Sequence, residues 1–137
     1  SMMNEGYRNS SIYGMLGYFK LLRNDDLDET TKLCEEAYDY NSDDRDIKDN
    51  LSICYFRKGE YEKAEKISDE LVGSAPNFVE GFYHGIQIAM KLNKYDKAAE
   101  YAEKLKECKR SGMTTVTEEE VNKLIQEVKN HNENTIG

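Results

Sequence analysis

Apolar residues recur every three to four positions through most of the chain, a spacing typical of amphipathic helices. Two of these stripes open pairs of helices: Leu51, Cys54 and Tyr55 form one, and Phe82, Gly85, Ile86 and Ala89 form the other. Two more follow in helices predicted at 61 to about 72 and 95 to about 108: Ala64, Ile67 and Leu71, then Ala98, Ala102 and Leu105. The pattern predicts an all-α chain of about seven helices in antiparallel pairs, with no strand.

The predicted helix ends carry residues suited to that place. Gly59 and Asn93 stand between the two helices of a pair, where a residue that tolerates positive φ is needed. Pro76 follows the middle pair, where it stops one helix and pre-sets the next. The acidic runs at 25–29 and 43–46 place carboxylates at helix N-termini, where the helix dipole favours them. As a calcium loop, the first run lacks the glycine at the sixth place and the glutamate at the twelfth.

One sequence pattern returns after 34 residues. Residues 59–64, GEYEKA, reappear at 93–98 as NKYDKA, with the turn residue, the tyrosine and the alanine in the same order. Two further columns keep this period: Cys34, Ser68 and Ala102, and Ala37, Leu71 and Leu105. Matched columns at one period predict a repeat array in which each helix pair buries its apolar face against its neighbours.

These units resemble the tetratricopeptide repeat family, whose helix–turn–helix motif of about 34 residues has aromatic, small and proline residues at fixed places. The unit at 45–78 matches the motif at Leu51, Ser52, Tyr55, Gly59, Tyr61, Ala64 and Pro76. The unit at 79–112 matches it at Phe82, Ala89, Tyr95, Ala98 and Ala102, and the most divergent unit lies at 10–44. The resemblance implies a tetratricopeptide repeat solenoid of three repeats over residues 10–112.

The chain beyond the repeats is predicted to hold a linker and a capping helix at 113–131. Thr117 and Glu120 have the spacing of a capping box, and an apolar stripe runs from there to about residue 130: Val121, Leu124, Ile125 and Val128. A solenoid needs such a helix to cover its last apolar face. Residues 132–137 are expected to be a flexible tail, and 1–9 are interpreted as a tag remnant, Ser1, and an N-terminal extension.

Composition narrows the classes of function. Of 137 residues, 38% are hydrophobic and 34% are charged, and 19 basic against 27 acidic side chains give a net charge of −8. This charge provides no general reason to bind nucleic acid or anionic lipid, and no stretch approaches the roughly 18–20 apolar residues of a membrane span. Cys34, Cys54 and Cys108 are odd in number and lack CxxC spacing, so we expect buried free thiols and a cytoplasmic location.

Candidate catalytic chemistry is sparse. The chain has two histidines, His84 and His131, and lacks HExxH, paired CxxC and glycine-rich phosphate-loop motifs. A cysteine paired with His84 as nucleophile and base is disfavoured, because nothing in the repeat brings these residues together. We therefore expect no enzymatic activity, no metal and no cofactor. Most of the ten tyrosines are better explained as core residues than as a stacking platform for nucleic-acid bases.

The resemblance also implies that the first helices of the repeats line a concave groove for a peptide or helix of a partner protein. Helical spacing gives the groove positions of the two clear units: Asp46, Asp49, Asn50, Ile53, Arg57, Glu80, Tyr83, His84, Gln87 and Lys91. For the first unit, one extra residue in the turn at 23–26 gives Ser11, Gly14, Met15, Tyr18 and Leu22, whereas the strict period gives Ile12, Met15, Leu16, Phe19 and Arg23. Met15 belongs to the groove in both registers.

The repeats look most like those of co-chaperones and immunophilins, which often grip the carboxy-terminal carboxylates of heat-shock chaperones with a clamp of lysine, arginine and asparagine. Asn50 matches the asparagine of the second repeat, but Glu80 occupies the lysine position and His84 that of its basic partner. The first-unit positions hold Gly14 and Tyr18, or Met15 and Phe19 in the strict register. Since Glu80 repels a carboxylate that a lysine would bind, we expect no working clamp.

Two hypotheses for the function follow. The first is a non-catalytic module that binds a protein or peptide partner through apolar anchors on Met15, Ile53 or Tyr83, with an acidic rim that favours a basic segment. The alternative is a structural or self-associating repeat portion of a larger co-chaperone or immunophilin-type peptidyl-prolyl isomerase.

Overall fold

The computed structural model describes residues 17, 20–21, 23, 26–108 and 116–136. Within these ranges the chain is all α, without a strand, as predicted. The helices are α1 (Leu27–Tyr40), α2 (Arg45–Arg57), α3 (Tyr61–Ser74), α4 (Val79–Lys91), α5 (Tyr95–Glu107) and α6 (Glu118–Ile136). The predicted first helix of the first unit lies mostly outside the described residues. In this region the structure describes Gly17, Lys20 and Leu21 as helical.

The helix starts repeat with the predicted period. The second helices of the three units begin at Leu27, Tyr61 and Tyr95, and the first helices of the two later units begin at Arg45 and Val79. Each helix packs against the next along the chain, and α2 also contacts α4. This sequential packing of neighbouring units is the architecture of a repeat solenoid.

The turn between the helices of a pair has the same geometry in both later units. Gly59 has a φ of 79° and Asn93 a φ of 60°, which confirms the prediction that these positions need a residue that tolerates positive φ. The two turns share equivalent backbone hydrogen bonds: the Glu60 N–H donates to the Tyr55 carbonyl at 2.9 Å, as the Lys94 N–H does to the Ala89 carbonyl at 2.9 Å.

The acidic and hydroxyl residues at helix N-termini act as caps. The Asp26 carboxylate accepts from the Glu29 N–H at 3.0 Å, and the Asp44 carboxylate accepts from two amides of the first turn of α2. At the start of α6, Glu120 N–H donates to Thr117 Oγ1 at 3.1 Å, and Thr117 N–H donates to Glu120 Oε1 at 3.1 Å. This reciprocal pair confirms the predicted capping box.

The core is continuous from α4 through α6. Phe82 and Ile86 of α4 share one buried cluster with residues of α5 and with the α6 stripe of Val121, Leu124 and Val128. The stripe therefore covers the apolar face of the last repeat, as expected of a capping helix. Ala64 and Ala98, the equivalent alanines of α3 and α5, are both 0% exposed.

The structure corrects the expected end of the last helix. The predicted helix end near residue 130 was too early, because α6 continues to Ile136. The stretch contains no glycine or proline before Gly137, and the ring of His131 stacks on that of Tyr95 at 3.6 Å. Tyr55 and Tyr95 are half-buried, and their hydroxyls donate to Glu35 and Asn93. Tyr55 also packs against the buried cluster around Leu51.

The three cysteines are buried free thiols, as predicted. Cys34 and Cys54 lie together, with 3.8 Å between the sulfurs, and Cys108 Sγ lies 3.9 Å from the Pro76 carbonyl. Within the described part of the chain, no helix combines the length and the apolar character that crossing a membrane requires.

Candidate functional site

The first helices of the two later units, α2 and α4, pack against each other. His84 Nδ1 of α4 lies 2.7 Å from Asp49 Oδ1 of α2, so the two faces that helical spacing assigned do meet. We call these ten predicted positions the groove face: Asp46, Asp49, Asn50, Ile53 and Arg57 of α2, and Glu80, Tyr83, His84, Gln87 and Lys91 of α4.

Burial divides the groove face into a floor and a rim. Asp49, Asn50 and Glu80 are buried, although all three are polar. Four neighbours are half-buried and three are exposed: Ile53, Tyr83, His84 and Gln87, then Asp46, Arg57 and Lys91. The half-buried Ile53 packs against the cluster around Leu51, and Tyr83 packs against the cluster around Phe82.

The contact between His84 and Asp49 is the strongest electrostatic feature of this face. The side chains are 20% and 11% exposed, respectively, so solvent screens them only in part. Burial lowers the pKa of His84, but the Asp49 carboxylate and the more distant Glu80 outweigh burial and the Arg57 charge and raise it above its ordinary value of 6.5. His84 therefore already has a negatively charged partner, Asp49, within its own chain.

The other charges of the face have partners as well. Arg57 donates from Nη1 to the Leu21 carbonyl at 3.0 Å, which ties α2 to the first unit. Asp46 Oδ1 lies 3.6 Å from Arg45 Nε. Burial raises the pKa of Asp46, and the nearby carboxylates of Asp44 and Asp49 raise it further against the opposing effect of Arg45.

Helix α6 brings two carboxylates to this face that the sequence analysis did not assign to it. Tyr83 packs against the cluster that includes the apolar stripe of α6, and Glu120 and Glu127 each stand one residue before a member of that stripe. Burial raises the pKa of Tyr83, and the charges of Glu120 and Glu127 raise it further. Glu120 also interacts with His84: hydrogen bonds from Thr117 lower the pKa of Glu120, and the His84 charge adds to this effect. The sequence contained a signal for this placement. Glu120 and Glu127 are seven residues, or two helical turns, apart and so share one side of α6, and a capping helix packs where the first helix of a further repeat would lie.

The remaining predicted groove residues belong to the first unit. Met15, Tyr18 and Leu22 lie outside the described residues, as do Ser11, Gly14, Ile12, Leu16 and Phe19 of the two alternative registers. Arg23 is an exposed turn residue. The structure therefore describes the groove face, which belongs to the second and third units, and α6 beside it.

The described residues do not bring together the nucleophile and base considered from the sequence. His84 Nδ1 contacts Asp49, whereas the thiols of Cys34 and Cys54 contact each other. In the ranges that the structure covers, no group of three or more histidine, cysteine or acidic side chains is arranged to hold a metal ion.

The helices and their 34-residue period define a class: an all-α helical repeat protein whose fold is like that of tetratricopeptide repeats. Residues 21–81 match the family model described as "Tetratricopeptide repeat", which confirms the resemblance predicted from the sequence. No curated protein matches the chain in sequence.

Solved structures of tetratricopeptide domains share the fold. The Sgt2 domain from Aspergillus fumigatus has a TM-score of 0.78 at 17% identity, over 92% of this chain and 80% of that chain. The first domain of Spaghetti (RPAP3), bound to the HSP90 peptide SRMEEVD, has a TM-score of 0.74 at 14% identity, over 89% and 91% of the two chains. The Hsp90 co-chaperone Cns1 from Saccharomyces cerevisiae has a TM-score of 0.73 at 12% identity, over 98% of this chain and 43% of that chain.

Proposed function

We propose that this chain is a non-catalytic protein-interaction module that binds a peptide or helix of a partner protein on the groove face. The observation that supports the proposal is the 2.7 Å contact between Asp49 of α2 and His84 of α4, two of the predicted groove positions. The fold supports it, because the similar Spaghetti domain is bound to a peptide.

The half-buried apolar side chains of this face are the expected anchors. Ile53 and Tyr83 each rest on a buried cluster and retain some exposure, so these two side chains would lose little further entropy when a partner packs on them. A desolvated anchor of this kind contributes about 2 kcal/mol or more, whereas an exposed ion pair contributes about 1 kcal/mol or less. Affinity is therefore expected to come mainly from Ile53 and Tyr83, and orientation from the charges.

A random twelve-residue peptide display library, selected on the immobilised protein, tests this function. Enriched peptides are then synthesised, and their dissociation constants are measured by fluorescence anisotropy. We expect Ile53→Asp to weaken the binding of these peptides at least tenfold, because a carboxylate replaces an apolar anchor. Higher salt should weaken the binding of these peptides only modestly, because the anchors are apolar.

Asn122→Asp is the matched control. It adds the same single negative charge to an exposed side chain of α6 and should leave the dissociation constants unchanged. Thermal unfolding of each variant checks that the fold is retained. If no peptide is enriched, or if enriched peptides bind Ile53→Asp as tightly as the unaltered protein, then the groove face is not a binding site and the proposal is wrong.

A further inference from the structure

We infer that the groove face selects a partner segment carrying a lysine or arginine side chain beside its apolar anchor, and that it rejects segments ending in carboxylates. This inference rests on the proposed function and specifies the chemistry of its partner. It follows from three observations: the pairing of His84, the carboxylates contributed by α6, and the placement of the face's few cations.

The basic group at the centre of the face is already neutralised. His84 occupies the position at which the resemblance implies a basic clamp residue, and its Nδ1 lies 2.7 Å from Asp49 Oδ1. An acidic ligand would have to displace Asp49 from a contact that is 80% or more shielded from solvent on both sides. Displacement leaves Asp49 without that partner in a poorly screened place, which makes carboxylate binding at His84 unfavourable.

Helix α6 makes the same place more negative. Glu120 and Glu127 lie two helical turns apart on one side of α6, each one residue before a member of the apolar stripe that shares a cluster with Tyr83. The charges of both carboxylates raise the pKa of Tyr83. Glu120 additionally acts on His84. Tyr83, one of the two expected apolar anchors, thus has carboxylates of α6 beside it, and Asp46 stands on the rim formed by α2.

The cations of the face do not offset these carboxylates around Tyr83. Arg57 is directed to the Leu21 carbonyl at 3.0 Å, toward the first unit. Lys91 lies two turns beyond His84 at the C-terminal end of α4. A cationic side chain that enters between Tyr83 and α6 therefore meets Glu120 and Glu127, while its apolar neighbour packs on the Tyr83 ring.

The test compares two pairs of α6 variants, each of which removes two negative charges. Glu120→Gln/Glu127→Gln removes the carboxylates beside Tyr83 and keeps the capping box, because glutamine also serves at that position. Glu118→Gln/Glu119→Gln removes two exposed carboxylates from other faces of the first turn of α6. Library peptides enriched on the unaltered protein should carry lysine or arginine next to an apolar residue. We expect Glu120→Gln/Glu127→Gln to weaken the binding of these peptides about three- to tenfold, and the control pair to change their dissociation constants less than twofold.

The acidic peptide SRMEEVD is measured in parallel and should show no saturable binding up to millimolar concentration. Saturable binding of this peptide, an enriched pool that is acidic, or equal weakening by the two pairs of variants would overturn the inference. A neutral, apolar pool that depends on Ile53 but not on Glu120 and Glu127 would also overturn it, while leaving the proposed function intact. Failure to enrich any peptide refutes the proposed function itself, and the inference with it.

Discussion

At the scale of single residues, the contact between His84 and Asp49 has both structural and functional consequences. It joins α2 and α4 across two repeat units at 2.7 Å and keeps an acidic side chain buried on the floor of the groove face. A buried carboxylate is tolerated only when a partner compensates for its lost hydration. His84 supplies that compensation best when it is protonated, so the stability of the fold is linked to its titration.

The pH dependence of stability should therefore report on His84. Its folded pKa is raised above the ordinary value of 6.5, so protonation stabilises the fold. The stabilisation is fully present below about pH 6.5 and is lost as the pH rises through the raised folded pKa. In urea unfolding, His84→Asn should cost about 1–3 kcal/mol at pH 6, and the difference from the unaltered protein should shrink by pH 9. A difference that stays constant or grows with pH would contradict this assignment.

At the scale of helices, the second helices of the two later units each carry a fully buried alanine at the same place. Ala64 of α3 and Ala98 of α5 are 0% exposed and stand 34 residues apart, at the third residue after the start of each helix. The surrounding core is close-packed, so a larger side chain at either place has no space. The repeated alanine is a packing requirement of the helix pair.

Ala64→Leu should destabilise the protein by about 1–3 kcal/mol, because the extra methyl groups overpack the contact between α2 and α3. The melting temperature, measured by circular dichroism, is the observable. Glu62→Leu introduces the same side chain at an exposed position of α3 and should change the melting temperature little. Equal melting temperatures for Ala64→Leu and the unaltered protein would mean that this column does not lie at the helix contact.

At the scale of the whole molecule, α6 has two roles. Its apolar stripe closes the core of the last repeat, and its first turns bring Glu120 and Glu127 beside Tyr83. A repeat array exposes an apolar face wherever stacking stops, so an end helix with a charged outer side keeps such an array soluble. Because the stripe and the carboxylates lie on adjacent sides of one helix, capping and charge at the groove face depend on the same element.

Deletion of residues 117–137 should expose the last repeat and cause aggregation or partial unfolding, seen by light scattering after size-exclusion chromatography and by circular dichroism. Deletion of 133–137 alone keeps Val121, Leu124 and Val128 and should remain monomeric. If the longer deletion is equally monomeric and stable, capping is not the role of α6, and its place beside the groove face becomes its main function.

Much of the fold was predictable because local rules produce it. The period of 34 residues, the positive φ of Gly59 and Asn93 and the capping box of Thr117 depend on residues a few positions apart, and the sequence contains all of them. Helical spacing likewise predicted which residues share a face. These features depend on backbone sterics and on hydrogen bonds within one or two turns.

The tertiary structure decided which residues of neighbouring helices contact these helix faces. That His84 binds Asp49, that Glu120 and Glu127 approach Tyr83, and that Tyr55 stays half-buried depend on the distances between neighbouring helices. These distances are set by the packing of all side chains in the contact, and a sequence pattern contains no measure of them. The sequence by itself thus determined the repeat architecture and the residues of its first-helix faces. Only the folded chain decided which of their charges are compensated, because electrostatic compensation depends on separations of a few ångströms.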